Sequence, residues 1–600
     1  MRLKMASNIR IEDIDRPEPA AEGGDVYGSD AIAETLRRIG LRYLALNPGA
    51  SYRGLHDSIV NRNGNRAPQM LLCLHEEHAV AIAQGYAKIT GEPMGVALHS
   101  NVGLLHGSMG IFNAFIDRMP MVVLGATGPV DAAKRRPWID WIHTAQDQGA
   151  LIRPFIKWDD QPASVTATIE ALFRANLMAR TAPAGPTYVC LDATVQEQKL
   201  DKLPPVPSAD RFQPPPPPHP APDLVTRAVE WLRAAKRPVI LAGRCSRSEL
   251  AWRRRVALAE KLDAKVCTDL KIASNFPTNH PLHVGAPGYF LDAPAAEVLK
   301  QADVVLSLDW IDLAGTFKRA GGEPDAKIIL ASIEHHNHNG WSKDHQALPP
   351  VDLHLTAPAD IAVVALCAAL GITDDKLPQL AVLPTAPRLL PPAEAAALDI
   401  DNLAAALGEG LGDAVTTFLR LPLGWDGALW HFRHPLDYMG GDGGGGVGSG
   451  PGTSIGGALA LADANSERLP VAVIGDGDYM MGSSAIWTAA HYRIPLLFVI
   501  ANNNSFFNDE VHQERVAKDR GRPPQNRWVG QRISDPDIDL AAIGRAQGAH
   551  GIGPVRTTAE LAAAVREGVG KVRQGQVVVI DARVRPGYSQ AMATSLVRKD

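Results

Sequence analysis

Val471-Ala472-Val473-Ile474-Gly475-Asp476-Gly477-Asp478 opens a stretch that closes at Leu496-Leu497-Phe498-Val499-Ile500-Ala501-Asn502-Asn503. Each half is a short apolar run ending in a polar cluster, the pattern of a strand buried on both faces. Between them, Ser483 to Arg493 predicts a helix with Ser483 or Ser484 as its N-cap. Strand, helix, strand makes a right-handed parallel crossover, which sets both polar clusters side by side at strand carboxyl ends. Open α/β sheets bind ligands at that edge.

The donor chemistry of the pair is specific. Asp476 and Asn503 offer hard oxygen ligands suited to Mg²⁺, an ion that keeps some water and shares phosphate oxygens. Gly475 and Gly477 let the backbone approach closely, so that amide groups can meet a diphosphate. A nucleotide-binding turn, or no ligand at all, is the alternative these residues leave open. The segment resembles the signature of thiamine diphosphate enzymes, a Gly-Asp-Gly followed after a similar gap by a double asparagine. The resemblance implies metal ligands at Asp476, Asn503 and the backbone carbonyl of Ser505, with Gly475, Gly477 and Asp478 at the cofactor.

A distant segment carries a second resemblance. His75-Glu76-Glu77-His78-Ala79 leads into Ala83-Gln84-Gly85-Tyr86-Ala87, similar to the family's cofactor-activating glutamate followed by a helix ending in Gly-Tyr-Ala. It implies that Glu76 hydrogen-bonds the aminopyrimidine ring and favours the imino tautomer, whose nitrogen removes the thiazolium C2 proton. Such a proton exchange suits a carboxyl in a dry pocket, where burial raises carboxyl pKa values. The residues alone also permit a plain helix-start acid facing the macrodipole. Gly443-Gly444-Gly445-Gly446-Val447-Gly448-Ser449-Gly450 opens into a small-residue helix. By resemblance Val447 is the apolar wedge that bends the cofactor, in a position more often Leu, Met or Ile, and the backbone near Gly445 holds the aminopyrimidine. Gly49 is placed at the cofactor on the same ground.

Composition agrees with a large soluble enzyme. A chain of 600 residues predicts three or four domains with ample cores. The net charge of −5, with mixed signs, gives no basic stripe for nucleic acid. No apolar run approaches the length of a membrane span, and Met1 to Met5 lacks an apolar signal core. Five scattered cysteines without metal spacing read as buried packing residues in a reducing compartment, so the cytoplasm is the expected location. Proline-rich breaks at Leu203 to Pro222 and Pro384 to Pro392 divide the chain. The expectation is α/β throughout: three doubly wound domains with mainly parallel sheets. These are a pyrimidine-binding domain at 24–200, a central domain at 223–375 and a diphosphate-binding domain at 393–590. The arrangement resembles acetolactate synthase and benzoylformate decarboxylase relatives, which implies a homodimer or homotetramer with active sites between subunits.

The reaction is harder to read. Ala485 to Tyr492, Arg153 to Trp158 and Leu98-His99-Ser100 resemble benzoylformate decarboxylase most, with His99 at an active-site histidine of that enzyme. A histidine there can exchange protons at neutral pH; a strand-end histidine is the bland alternative. His106 and Asn101 are further substrate candidates. The serine expected after Asn47-Pro48-Gly49 is matched by Ala50, with Ser51 one place late, and the second active-site histidine falls near Thr316. Thr127 replaces a glutamine usual in acetolactate synthase, and Asp309 to Leu313 replaces a flavin-associated stretch, so FAD is not called for, though not excluded. Asn508, His512 and the basic run Arg515 to Arg522 either form a solvated face or meet a substrate carboxylate. The tail from Pro586 to Gln590 is a lid or frays, and His335-His336-Asn337-His338 reads as a loop. The expected activity is cleavage or formation of a carbon–carbon bond beside a carbonyl, with thiamine diphosphate and Mg²⁺. A 2-oxo acid or aldehyde is the substrate class, and decarboxylation with carboligase capacity the first reading. An acetolactate synthase-like transferase and a non-catalytic cofactor-binding member are the alternatives.

Overall fold

The computed structural model describes residues 11–19, 24–334, 347–379 and 396–587. The second proline-rich break, His335 to His338 and Tyr588 to Gln590 lie outside them. Three all-parallel sheets follow one another along the chain. The first has six strands in the spatial order Gln69–Leu72, Tyr43–Leu46, Met94–Ala97, Met121–Thr127, Pro186–Asp192, Asp159–Asp160. The second has five, in the order Lys265–Cys267, Pro238–Ala242, Val304–Leu308, Lys327–Ala331, Leu353–Leu355. The third has five, in the order Thr416–Arg420, Leu469–Gly475, Leu496–Asn502, Val577–Arg583, His550–Val555. Non-consecutive neighbours mark the crossovers that helices fill, and strands such as Val471 to Ile474 are wholly buried because helices cover both faces. No helix among the described residues is long and apolar enough to cross a membrane.

The first and third sheets share a core. The helices Glu76–Thr90 and Gly450–Asp463 pack face to face, and glycines set their distance. A Cβ on Gly456 would lie 1.9 Å from the Ile82 carbonyl oxygen, so only the bare backbone fits. The central sheet keeps separate cores and is tied to the first by Arg118, whose guanidinium sits 2.5 Å from the buried Asp309 carboxylate. The first linker runs extended apart from one turn at Ala209–Arg211, and Pro222 starts the helix Pro222–Ala234, where its missing N–H costs nothing.

Two helices lie between Gly475 and Leu496, Asp476–Gly482 and Ala485–His491; the second is the helix expected from Ser483 to Arg493, and the first was not expected. The first begins directly at the strand end, with Gly475 as its cap residue. Gly482 lies against the glycine loop, where a Cβ would come within 2.4 Å of the Gly448 carbonyl oxygen. Ser484 occupies the N-cap position of the second helix but does not cap it; its hydroxyl lies 2.8 Å from His78 Nε2 across the shared interface.

Candidate active site

The strands Leu469–Gly475 and Leu496–Asn502 are neighbours with Gly475 opposite Ala501, so Asp476 and Asn503 emerge side by side. Asp476 is 4% exposed. Its Oδ1 accepts the Gly477 N–H at 3.1 Å and its Oδ2 the Ser505 N–H at 3.0 Å, a donor that Asn503 Oδ1 shares at 3.0 Å. Burial pushes the Asp476 carboxyl up to about 6, with those backbone donors opposing. Among the described residues no lysine or arginine forms an ion pair with it. Asn502 turns away and donates to Asp581 at 2.9 Å. Asn504, at φ 57°, adopts the left-handed conformation that returns the chain toward Asp476. Ser505 is then locked from behind, its hydroxyl donating to the buried Glu510 at 2.6 Å. Sequence reasoning missed Glu510, which looked like one more charge in a solvated run. Two basic residues of that run are paired locally, Lys518 with Glu514 at 2.5 Å and Arg515 with Asp519 at 3.6 Å.

These groups open into a cavity of about 540 Å³, lined among others by Gly445, Val447, Gly475, Asp476, Asn503 and Asn508. Gly445 and Gly475 are its bare walls: a Cβ at either would meet no atom of the chain within 4 Å. Nothing of the protein requires glycine at Gly475, so the missing side chain leaves room for a guest. An uncompensated buried carboxylate, an amide oxygen and a free cradle fit a divalent cation bound together with a diphosphate. Val447 is 45% exposed in this cavity. Asp478 braces the glycine loop, accepting N–H groups of Gly448 at 2.7 Å and Gly450 at 3.1 Å. Asn508 has a buried Oδ1 without a partner, whereas His512 is exposed and away from the cavity lining.

A second group forms at the carboxyl edge of the first sheet. Glu76 is the first residue of its helix, 6% exposed, behind His75, whose Nδ1 accepts the Glu77 N–H. Glu76 Oε2 lies 3.1 Å from His106 Nδ1. His99 precedes the helix Ser100–Ile116, and its Nδ1 lies 2.9 Å from the hydroxyl of Ser51. Ser51 thus reaches the histidine from one place late because the 3₁₀ turn Ala50–Tyr52 rotates it inward. Gly49 is obligatory there, since a Cβ would fall 2.3 Å from that of His99. Burial, then the neighbouring His143, push the His99 pKa down, with Glu76 opposing. His143, its ring 4.9 Å from that of His99, sits in a stretch that no motif marked. Ala50, Ser51, His99, Thr127 and His143 line a small cavity of about 90 Å³. Asn101 donates to the Ile142 carbonyl at 3.3 Å and takes no part in it. Within one chain Asp476 and Asn503 line the larger cavity and Ser51 and His99 the smaller one.

Parallel α/β sheets with an oxygen-donor cavity and bare glycine walls at the strand ends define a class, the α/β proteins that hold a diphosphate cofactor. The chain belongs to the thiamine pyrophosphate enzyme family. It matches the N-terminal TPP binding domain over residues 26–151, the central domain over 225–351 and the C-terminal TPP binding domain over 423–582. It is 25% identical over 584 residues to the acetolactate synthase large subunit of Parasynechococcus marenigrum (strain WH8102), covering 92% of this chain and 86% of that protein. It is likewise 25% identical over 499 residues to the benzoylformate decarboxylase of Pseudomonas aeruginosa, covering 79% of this chain and 86% of that one. The fold is shared with the thiamine diphosphate-dependent 4-hydroxybenzoylformate decarboxylase of Rhodococcus jostii RHA1, at a TM-score of 0.72 and 21% identity over 94% of this chain and 100% of that one. It is shared too with benzoylformate decarboxylase from Polynucleobacter necessarius, at a TM-score of 0.71 and 19% identity over 94% and 99%.

Proposed function

We propose that this protein is a thiamine diphosphate- and Mg²⁺-dependent 2-oxo acid decarboxylase with carboligase capacity. The observation that carries the reading is the Ser51–His99 pair, a serine hydroxyl 2.9 Å from the imidazole at the same sheet edge as Glu76. Asp476, Asn503 and the Ser505 carbonyl would hold the metal ion. Gly475 and Gly477 would meet the diphosphate, and Val447 would prop the cofactor from below. Bound thiamine diphosphate supplies a nucleophilic carbon and an electron sink for cleavage of a bond next to a carbonyl. Glu76 holds the proton that passes to and from the cofactor's pyrimidine. His99 has its pKa pushed down by burial, which favours the neutral ring. With Nδ1 held on Ser51, it moves a proton at Nε2, to or from the reacting oxygen or carbon. Because Asp476 with Asn503 and Ser51 with His99 line separate cavities in one chain, the complete site is proposed to lie between two copies, in a homodimer or homotetramer. Proposed domain limits are 24–200, 223–375 and 393–590.

A second reading, acetolactate synthase-like transfer to an acceptor carbonyl, is favoured by the longer span shared with the Parasynechococcus protein, 92% of this chain against 79%. One experiment separates the two. The holoenzyme is offered a panel of 2-oxo acids and aldehydes, with CO₂ release and product mass measured. An aldehyde product with one CO₂ supports decarboxylation. A hydroxy ketone built from two substrates supports transfer, and no CO₂ from any 2-oxo acid sinks both.

A further inference from the structure

The loop from Gly440 to Gly450 should not hold a single shape by itself. Six of the eight residues from Gly443 to Gly450 are glycine, and glycine loses more conformational freedom on folding than any other residue. Gly445 and Gly448 sit at φ 65° and 109°, where they need that freedom. Yet the loop is one wall of the cofactor cavity and carries Gly445 and Val447 into it. Something outside its own backbone must fix it.

Arg420 does so at both ends. It is the last residue of the strand Thr416–Arg420, and its side chain is 13% exposed. Its Nη1 lies 2.5 Å from Asp442 Oδ2, just before the glycines, and its Nη2 lies 3.5 Å from Asp478 Oδ2. Asp442 Oδ2 also accepts the Ser449 hydroxyl at 3.0 Å, which draws the far end of the loop back to its start. The other oxygen of Asp478 accepts the Gly448 and Gly450 N–H groups. One guanidinium thus closes the loop into a ring through two carboxylates, whose side chains are 2% and 8% exposed. A third carboxylate stands near, since a Cβ on Gly448 would lie 3.7 Å from Glu77 Oε1. Without the arginine these like charges would be left buried together, and the loop would open. All of these contacts are made within one chain.

Arg420 lines the cofactor cavity, which suggests a cation for the diphosphate. The charge count argues otherwise. Both amino groups face carboxylates, and two carboxylates outweigh one guanidinium, so the cluster offers an anion no net attraction. We propose that Arg420 is a positioning residue that holds the glycine loop ready for the cofactor before it binds. What the loop receives, the aminopyrimidine near Gly445 and the bend over Val447, rests on the thiamine diphosphate reading given above. The clasp keeps the loop in its binding-competent shape, so the cofactor need not order the glycines itself.

Two measurements test this. In the cofactor-free protein, hydrogen exchange read by mass spectrometry should be at least about 10-fold faster over 440–450 in Arg420→Met than in the wild type. Exchange over 471–474 should stay as it was. Unchanged exchange over the loop overturns the clasp. In calorimetry with Mg²⁺, Arg420→Met should bind thiamine diphosphate about 10²-fold more weakly, because only the ordered fraction of loops can take it. Turnover per loaded site should fall far less, since bound cofactor completes the order. Arg420→Lys keeps the charge without the fork and should bind with an affinity between the two. Wild-type affinity in Arg420→Met, or an equal loss of turnover per loaded site, overturns the positioning role. Asp442→Ala breaks the same ring from the loop side, should show the same opening and weakening, and stands in if Arg420→Met does not fold. Failure of the wild-type protein to bind thiamine diphosphate at all would instead count against the cofactor reading, and the exchange measurement would still decide the clasp.

Discussion

Gly85 and Thr453 meet so closely that a Cβ on the glycine would lie 1.9 Å from the threonine carbonyl oxygen. This contact joins the helix that begins with Glu76 to the helix that follows the glycine loop, and so sets the two halves of the chain at one spacing. Gly85→Ala should force the helices apart. Overpacking of this kind costs about 1–3 kcal/mol. Thermal unfolding of the variant should show a melting temperature several degrees lower, and an unchanged one would mean that the helices slide freely.

Asp476 and Asp478 lie two residues apart and should behave oppositely. Asp476→Ala removes a buried carboxylate that the chain leaves without a cation. It should cost about 100-fold or more in thiamine diphosphate affinity, roughly 3 kcal/mol, yet leave the cofactor-free protein as stable as before. Asp478→Ala removes the brace under Gly448 and Gly450, so the cofactor-free protein itself should melt earlier. Calorimetry and unfolding of both variants check the contrast; normal cofactor affinity in Asp476→Ala would refute the metal assignment.

His78 predicts a pH dependence of stability. It is 2% exposed, and burial, helped by the neighbouring His75, pushes its pKa down to about 4. The folded value lies below the unfolded one, about 6.5, so folding favours the neutral ring. Its contribution is complete above pH 6.5 and is lost as pH falls from there toward 4. The loss amounts to about 2 kcal/mol between about pH 7.5 and about pH 5. Denaturant midpoints at the two pH values should differ less in His78→Gln than in the wild type, and equal slopes would remove His78 from the account.

His99→Ala should bind cofactor normally and turn over about 10²–10⁴-fold more slowly, the range of general acid–base catalysis. Turnover per folded, cofactor-loaded site is the decisive quantity. The lowered pKa of His99 also places the acid limb of the wild-type pH profile below its ordinary value of about 6.5, and that limb should vanish in the variant. Retention of full specific turnover would point instead to His143.

Much of the molecule was legible in the sequence. The runs Val471 to Ile474 and Leu496 to Ile500 declared buried parallel strands, because strand formation and burial depend on residues that are neighbours in the chain. Asp476 and Asn503 followed, since a strand's end is where its polar cluster emerges. Glycines were legible as positions but not as reasons: Gly475 faces an open cradle, whereas Gly49 is pressed by His99 and Gly85 by Thr453.

Tertiary structure alone decided the rest. Ser51 replaced the expected serine at Ala50 because a 3₁₀ turn rotates it onto His99, 48 residues away. A helix unmarked in the sequence, Asp476–Gly482, precedes the one expected from Ser483, and Ser484 bonds His78, 406 residues distant. Asp478, read beside the cofactor, holds backbone N–H groups 28 and 30 residues earlier, and Glu510, read as surface charge, locks Ser505. Hydrophobic patterning is local and repeats with the period of each element, so it can be read in one dimension. A buried polar group must instead find a partner wherever packing brings one, and that partner is set by the fold as a whole.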